Sequence, residues 1–532
     1  MLLSILLSLL PLVTSQSAPQ IPLVSDLPPK RVAIIGAGSA GSSTAYFLQK
    51  YASAASIPLN ITIYDRNTTV GGRSTTIHPF NDPSLPALEL GASIFVSVNH
   101  NLVNATRDLG LSASSSNALL SASAGSGTPD LGIWDGQRMV LVQQSSDGWW
   151  DLAKLVWRYG LAPYKTLRLM KRTVAKFLRM YEGPVFPFGD LGGAVEDVGL
   201  VDVVAANGRG YLERWEIRGL FGREVVQAAT RVNYAIGIEE VSGLIAMVCM
   251  AAEGAMSVDG GNWRIFEGMV ERSGATRGFG VEVKGVRNEK GEGMEDRLEV
   301  TTRPVGGGRG DEVTEKFDEV VLAAPHQFAD VVFEDVLQHV PEEIPYVKLH
   351  VTILTSRHRL DPEVFGLEKG EKAPRAILTT TPEEQGVAGP GFNSISLLRE
   401  VLNPETKTPE FAYKIFTMEP VNSTFLGRIF GLGNLAADAN ISEDDISWIY
   451  RKRWSSYPYE YPRATFEEIK LADHVWYTSG IESFISTMET SSLMGMNVAR
   501  LMVDEWLLSV ADAENETDVA DPNDEDDTLV ED

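Results

Sequence analysis

From Arg31 onward the chain switches between two kinds of apolar patterning. "RVAII" is a continuous apolar run and predicts a buried strand over Val32–Ile35. A glycine-rich turn follows. Apolar positions at three- and four-residue spacing then predict a helix over about Ser42–Tyr51. "ITIYD" predicts a second strand ending at Asp65, so the opening reads strand, turn, helix, strand. Ser112–Asp130 is rich in Ser, Ala and Gly and reads as an inserted loop. Helical spacing returns over Trp149–Glu182 in "WWDLAKLVWRYG" and "TLRLMKRTVAKFLRMYE". Near Phe279 the period drops to two in "FGVEVKGVRN". A hairpin with its tip at Gly306–Gly310 then leads into a buried strand, "EVVLAAP". Val347–Tyr461 mixes short strands and helices. The stretch "ADHVWYTSGIESFISTMETSSLMGMNVARLMVDEW" predicts a strand, a turn and a long helix. No internal repeat is present.

With 532 residues the chain predicts two or more domains. A net charge of −26 opposes a nucleic-acid partner. Part of that charge lies in the tail Ala511–Asp532, which has no Lys or Arg and reads as solvated and disordered. "MLLSILLSLLPLVTSQSAPQ" is short and apolar and ends in small residues. It reads as a secretory signal peptide over 1–15, cut after Ser15, or as an apolar anchor that stays attached. Six Asn-x-Ser/Thr triplets, at Asn60, Asn67, Asn104, Asn422, Asn440 and Asn515, become glycosylation candidates on that route. Cys249 is the sole cysteine. No intrachain disulfide can form, and its apolar helical surroundings read as a buried small hydrophobe. The seven His show no ligand spacing, so no metal site is expected.

Chemistry enters with Gly36, Gly38 and Gly41 in "GAGSAG". In a strand–turn–helix opening the first Gly permits the tight turn. The second admits a pyrophosphate beside Ser39 and Ala40, and the third lets helix and strand pack. Asp65, at the end of the next strand, stands where a carboxylate accepts ribose hydroxyls. The alternative is a structural turn with a surface acid. After Asp65 and Arg66 comes Gly71-Gly72-Arg73, which resembles the second fingerprint of flavoproteins related to amine oxidases. There the backbone and the Arg meet the pyrophosphate. "ELGASIF" resembles the stretch in which a Gly-Ala pair, here Gly91-Ala92, passes the flavin ring. "SGIESFISTMETSS" resembles the closing flavin motif. It places Gly480 and Glu482 near the ribityl and pyrophosphate region, and Thr487 and Met488 at a helix end facing the ring. Val286 matches a position whose backbone meets adenine. Together these imply FAD, held non-covalently.

Beyond these motifs, "LVWRYG", "ATRVNYAI", "VDGGNWRIFEGMV" and the closing segment after "YPYEYPRA" resemble the prenylcysteine oxidases, also called prenylcysteine lyases, over roughly Arg31–Trp506. The resemblance implies an α/β fold, α+β overall. A Rossmann-like FAD-binding domain of the amine-oxidase/glutathione-reductase type would be interleaved with a mixed sheet-and-helix substrate domain. The implied flavin segments are 28–110, 256–330 and 463–510. The substrate segments are a helical 111–255 and a mixed 331–462, and the acidic tail is 511–532. It further implies an oxidase that uses O2 to split S-farnesyl- or S-geranylgeranyl-cysteine into cysteine, a prenyl aldehyde and hydrogen peroxide. The allylic carbon beside sulfur is activated for oxidation, and the cofactor carries the hard step. No side chain is singled out as the catalyst. Arg231, Asn233 and Tyr234 lie in a matching stretch and are candidate substrate contacts, with Arg231 either on the cysteine carboxylate or in structural packing. An amine oxidase, or a flavin-bound isoprenoid carrier without turnover, remains open. Eight Lys and Arg between Lys154 and Arg179, with no acid among them and apolar residues interleaved, form either a membrane-surface helix pair or a solvated face.

Overall fold

A computed structural model describes residues 28–115, 128–143, 149–289, 297–381 and 389–519. The predicted leader, and the tail beyond 519, lie outside the described residues.

The first apolar run forms the strand Lys30–Ile35, near the centre of a six-stranded sheet. Ile34 is in register with Ile63 on one side and Val321 on the other, and all three are fully buried. A strand covered on both faces needs no polar alternation, which is why it reads as a continuous apolar run. The sheet order is Lys470–Ala472, Val475–Tyr477, Glu319–Leu322, Lys30–Ile35, Leu59–Asp65, Thr276–Phe279, parallel except at the first edge. Three distant stretches of chain therefore build one dinucleotide-type layer.

The first helix, Ser39–Ala54, exceeds the predicted span at both ends and packs on the closing helix, Met488–Val519. Small residues set their approach. A Cβ on Gly495 would meet the Ala40 carbonyl oxygen at 2.5 Å, and Ser43 Oγ donates to Ser492 Oγ at 2.8 Å. The closing helix runs on to Val519, into the stretch expected to be disordered. Ala and Glu there are good helix formers, and the first Pro of the tail is Pro522.

A four-stranded sheet (Val313–Phe317, Leu298–Pro304, Val281–Asn288, Val332–Glu334) contains the predicted hairpin. The third sheet has seven strands in the order Ile446–Pro458, Tyr346–Ser356, Pro409–Thr417, Ser394–Leu402, Ala376–Thr379, Leu131–Trp134, Met139–Gln143. The segment expected to be helical thus lends a hairpin to this sheet. The expected 112–130 loop also opens with a strand, Ala113–Ser115, paired to Met256–Val258. The helices Trp149–Tyr159 and Ala162–Leu178 form at the predicted place. Ala162–Leu178 packs against Gly243–Met250, the helix that buries Cys249. No helix among the described residues is long and apolar enough to cross a membrane.

Candidate cofactor and substrate site

A cavity of about 1110 Å³ runs from the carboxyl end of the parallel sheet to the face of the seven-stranded sheet. Its floor is the glycine turn. Gly36 adopts φ +112°, and a Cβ there would meet the Ala323 carbonyl oxygen at 2.8 Å. At Gly41 a Cβ would lie 1.9 Å from the Gly36 oxygen, so this glycine packs helix on strand and does not line the cavity. A Cβ on Gly38 would meet nothing within 4 Å, and Gly38 does line it. No side chain caps the helix that starts at Ser39, so its first N–H groups are left for a ligand.

Asp65 accepts the Ala37 N–H at 2.8 Å and the Asn67 N–H at 2.7 Å, which fixes its carboxylate at the cavity edge. Arg66 donates to the Phe328 and Ala329 carbonyls at 2.7 and 3.0 Å. The Gly71 N–H donates to the Ala37 carbonyl at 2.9 Å, laying the second glycine turn on the first. Gly72 and Arg73 follow in the lining. Arg73 donates to the Ser456 carbonyl at 2.8 Å and pairs with Glu482 at 2.7 Å, while the Tyr346 hydroxyl donates to Glu482 at 3.1 Å. Gly91 and Ala92 pass beside Arg73, where a Cβ on Gly91 would lie 1.9 Å from the Arg73 oxygen. Thr487 Oγ1 accepts the Thr490 N–H at 3.1 Å and caps the closing helix, and Thr487 and Met488 both face the cavity.

Four predicted site residues stand back from the cavity. Gly41 and Gly480 are packing glycines; a Cβ on Gly480 would meet Glu467 Cβ at 2.9 Å. Val286 is 0% exposed inside a separate core, beyond a bulge at Val283/Gly285. The strand meets the cavity earlier, at Val281–Lys284. Arg231 turns away from it. Its Nε donates to Thr379 Oγ1 at 3.1 Å and its Nη2 to the Phe392 carbonyl at 3.2 Å, which is the structural alternative. Asn233 and Tyr234 do line the cavity. The Asn233 amide is turned to the Ala229 carbonyl at 2.9 Å, and the Tyr234 hydroxyl to the Ser486 carbonyl at 3.2 Å. Asn67 also lines the cavity and donates to Asp65 at 2.9 Å, so a glycan there would compete with the dinucleotide edge. Asn60, Asn104, Asn422 and Asn440 are exposed, and the Asn515 side chain lies outside the described ones.

Sequence reasoning missed Glu89 and Lys414. Lys414 is 6% exposed, and its ammonium donates to the Glu89 carbonyl at 2.9 Å and to Ser93 Oγ at 2.7 Å. Burial pushes the Lys414 ammonium down and the Glu89 carboxyl up, each toward its neutral form. A Lys in a strand buried on both faces, "PEFAYKIFT", is the signal that could have found it. Cys249 also borders the cavity, and burial pushes its thiol up, away from reactivity.

The cavity wall tests whether a polar cofactor fits. Ser74 Oγ, Glu89 Oε2, Trp454 Nε1, Ser456 Oγ and Tyr457 Oη are buried on lining residues and have no hydrogen-bond partner among the described residues. Buried polar atoms rarely stay unpaired, so a wall with five of them fits a ligand rich in donors and acceptors. Glycine cradle, helix start and orphaned wall define a flavin-binding oxidoreductase fold. Solved structures agree on that fold. A triple mutant of putrescine oxidase has a TM-score of 0.56 at 12% identity, covering 90% of this chain and 99% of that one. Cyclohexylamine oxidase from Brevibacterium oxydans has 0.54 at 14% identity, covering 90% and 100%. A NAD(P)-binding Rossmann-like domain profile matches residues 34–109.

Within that class, the chain belongs to the prenylcysteine lyase family, whose profile matches residues 142–516. It is 27% identical to farnesylcysteine lyase of Arabidopsis thaliana, over 91% of this chain and 90% of that protein. To human prenylcysteine oxidase 1 it is 26% identical, over 90% of each.

Proposed function

We propose that the protein is an FAD-dependent oxidase that cleaves the thioether of an S-prenyl-L-cysteine. Thioether, O2 and water become cysteine, prenyl aldehyde and hydrogen peroxide. The observation that carries this reading is one cavity joining a dinucleotide cradle to a second, largely apolar wall, in a chain of this family. Bound flavin supplies two-electron oxidation of the carbon beside sulfur. The chain's own part is to bind and orient. Gly36, Gly38, Asp65, Gly72, Arg73 and Glu482 would hold the dinucleotide, with Val283, which lines the cavity, in place of Val286. Leu349, Val351, Leu398, Phe416 and Trp454 line the substrate side and exclude water. Lys414 holds a proton at Nζ beside Ser93. Non-covalent binding is supported by a described lining without His and by Cys249, the sole thiol, which burial pushes away from the reactive thiolate. Acid precipitation should therefore release all the flavin. Peroxide release with S-farnesylcysteine tests the activity. Turnover only of amines, or of nothing, would overturn it.

The apolar leader and the exposed sequons support a route through the secretory pathway to a vacuole or lysosome, or outside the cell. The helix pair 149–178 supports contact with an anionic lipid surface, where a prenylated substrate resides. Trp157 is 90% exposed, with Val156, Leu161, Tyr164 and Leu167 exposed beside it. Arg168 and Lys171 are exposed on the same corner. Apolar anchors ringed by cations are the chemistry of interfacial helices. Arg158 and Lys165 are committed instead to Glu224 and Glu216. Co-sedimentation with phosphatidylserine vesicles should fall with salt, and the Trp157→Ser/Lys171→Glu variant should lose it. Absence of binding at low salt, or self-association through this corner, would refute the contact.

A further inference from the structure

Among the described residues, the substrate wall carries one cation, Arg399, that no hydrogen bond or ion pair holds. Along Ser394–Leu402 the residues Ser394, Ser396 and Leu398 line the cavity, as strand alternation requires. Arg399 lines it too, which alternation forbids. A bulge resolves this. Ser396 is in register with Lys414 and Leu397 with Tyr413, but Ala412 then pairs with Arg399. Leu398 is the extra residue, and Arg399 takes the register position that Leu398 would have held. It therefore shares the sheet face of Lys414 and Phe416, both cavity residues. Bulges re-aim side chains next to binding sites in this way.

The other cations of the cavity are occupied. Arg73 is held by Glu482, Arg66 by two carbonyls, Lys284 by Asp330 at 2.8 Å, and Lys414 by the Glu89 carbonyl and Ser93. Arg399 has no hydrogen bond or ion pair among the described residues. Arg399 is half-buried, so its cation has lost part of its hydration without a directly bonded carboxylate in return. Asp259, exposed on the same lining, is fixed at one oxygen by Ser114 Oγ at 2.9 Å and on its own carbonyl by Arg264 at 2.7 Å. Two glycines follow it at positive φ, Gly260 and Gly261, so the turn that presents Asp259 is built into the backbone. Burial disfavours the Arg399 cation, and the Asp259 charge partly restores it.

We propose that Arg399 and Asp259 form the site for the α-amino-acid head of the thioether substrate, Arg399 taking the α-carboxylate and Asp259 the α-ammonium. This deepens the oxidase reading and rests on it. It also moves the role considered for Arg231 to a residue that reaches the cavity. A planar guanidinium suits a carboxylate through two parallel N–H bonds. The prenyl chain then extends along the apolar part of the wall, and substrates lacking either charge are disfavoured.

The test compares S-farnesyl-L-cysteine with its methyl ester, with S-farnesylcysteamine, and with 3-(farnesylthio)propionate, which lacks the ammonium. In the wild type the free amino acid should have a KM at least about tenfold below the others. Arg399→Met should raise KM for the free amino acid about tenfold and leave that for the ester and the cysteamine unchanged, and Arg399→Lys should recover part of the loss. Asp259→Asn should raise KM for the amino acid but not for the propionate. Unchanged flavin content and melting temperature establish that each variant is folded. If Arg399→Met alters all substrates equally, or none, the head-group site is refuted while the oxidase stands. If the wild type oxidises no thioether, the oxidase reading falls. Flavin-absorbance titration with the same four compounds then decides the head-group site by binding alone.

Discussion

Replacing Glu482 with Gln asks whether charge ties the closing segment to the second glycine turn. The Glu482 side chain is 4% exposed and holds Arg73 at 2.7 Å and the Tyr346 hydroxyl at 3.1 Å. Gln keeps the shape and one acceptor, removes the charge, and turns an NH2 toward one of two donors. Removing one partner of a buried pair costs about 3–5 kcal/mol, because the survivor stays charged. Here Arg73 keeps its bond to the Ser456 carbonyl, and its side chain is 36% exposed on the cavity. Screening by that carbonyl and by water lowers the expected cost to about 2 kcal/mol. That is roughly a 30-fold change in the unfolding equilibrium. Arg73→Met should cost more, about 3 kcal/mol, since it strands the better-buried carboxylate. The double variant Arg73→Met/Glu482→Gln should therefore be about 2 kcal/mol better than additive. Urea unfolding of the apoproteins, followed by tryptophan fluorescence, reads the stability, and flavin titration reads affinity, which should fall in both single variants. Additivity within about 0.5 kcal/mol would refute a charge-coupled clasp.

Gly38→Ala should fold like the wild type but bind flavin at least tenfold more weakly, because its Cβ enters the open cradle; Gly41→Ala should fail to fold well, because its Cβ strikes the Gly36 oxygen at 1.9 Å. Soluble yield and flavin titration separate the two. Asp65→Ala should lower flavin occupancy and also loosen the turn, since it removes acceptors of the Ala37 and Asn67 N–H groups; unchanged occupancy would count against its assigned role. Glu489 caps the helix His100–Asp108 through the Asn101 and Leu102 N–H groups, and burial pushes its carboxyl up to about 7. A raised folded value means that stability is fully present below the unfolded value of about 4.3 and is lost as pH rises through about 7, by about 4 kcal/mol in all. Melting temperatures from pH 4.5 to 8 should fall more steeply in wild type than in Glu489→Gln, and parallel profiles would refute the linkage.

The glycine turns were legible because backbone geometry admits few residues there. A positive φ at Gly36, or a 1.9 Å approach at Gly41, leaves glycine as the residue that fits, and such a constraint shows as spacing along the chain. The parallel strands were legible for a related reason, since burial on both faces leaves an unbroken apolar run. The closing helix was legible in place but not in length. Composition marked its acidic end as solvated, while Ala and Glu sustain helix to Val519.

The substrate wall obeys a different logic. Its polar residues function by the face they occupy, and face follows register, where a slip of one residue reverses every side chain. Nothing beside Arg231, between Thr230 and Val232, or beside Arg399, between Leu398 and Glu400, tells the two apart in the sequence. The helix rotation at Gln227–Tyr234 turns the first onto Thr379, while a single extra residue at Leu398 turns the second into the cavity. Val286 fails as a site residue for the same reason, since a bulge lies between it and the cavity-lining end of its strand. Bulges leave no fixed mark in apolar periodicity, so the residues they re-aim appear only once strands are paired. Cofactor sites built on backbone approach are therefore read early, and substrate sites built on strand register are read late. In this protein the line between them runs through the cavity itself, from the glycines of the parallel sheet to Lys414 and Arg399 on the antiparallel one.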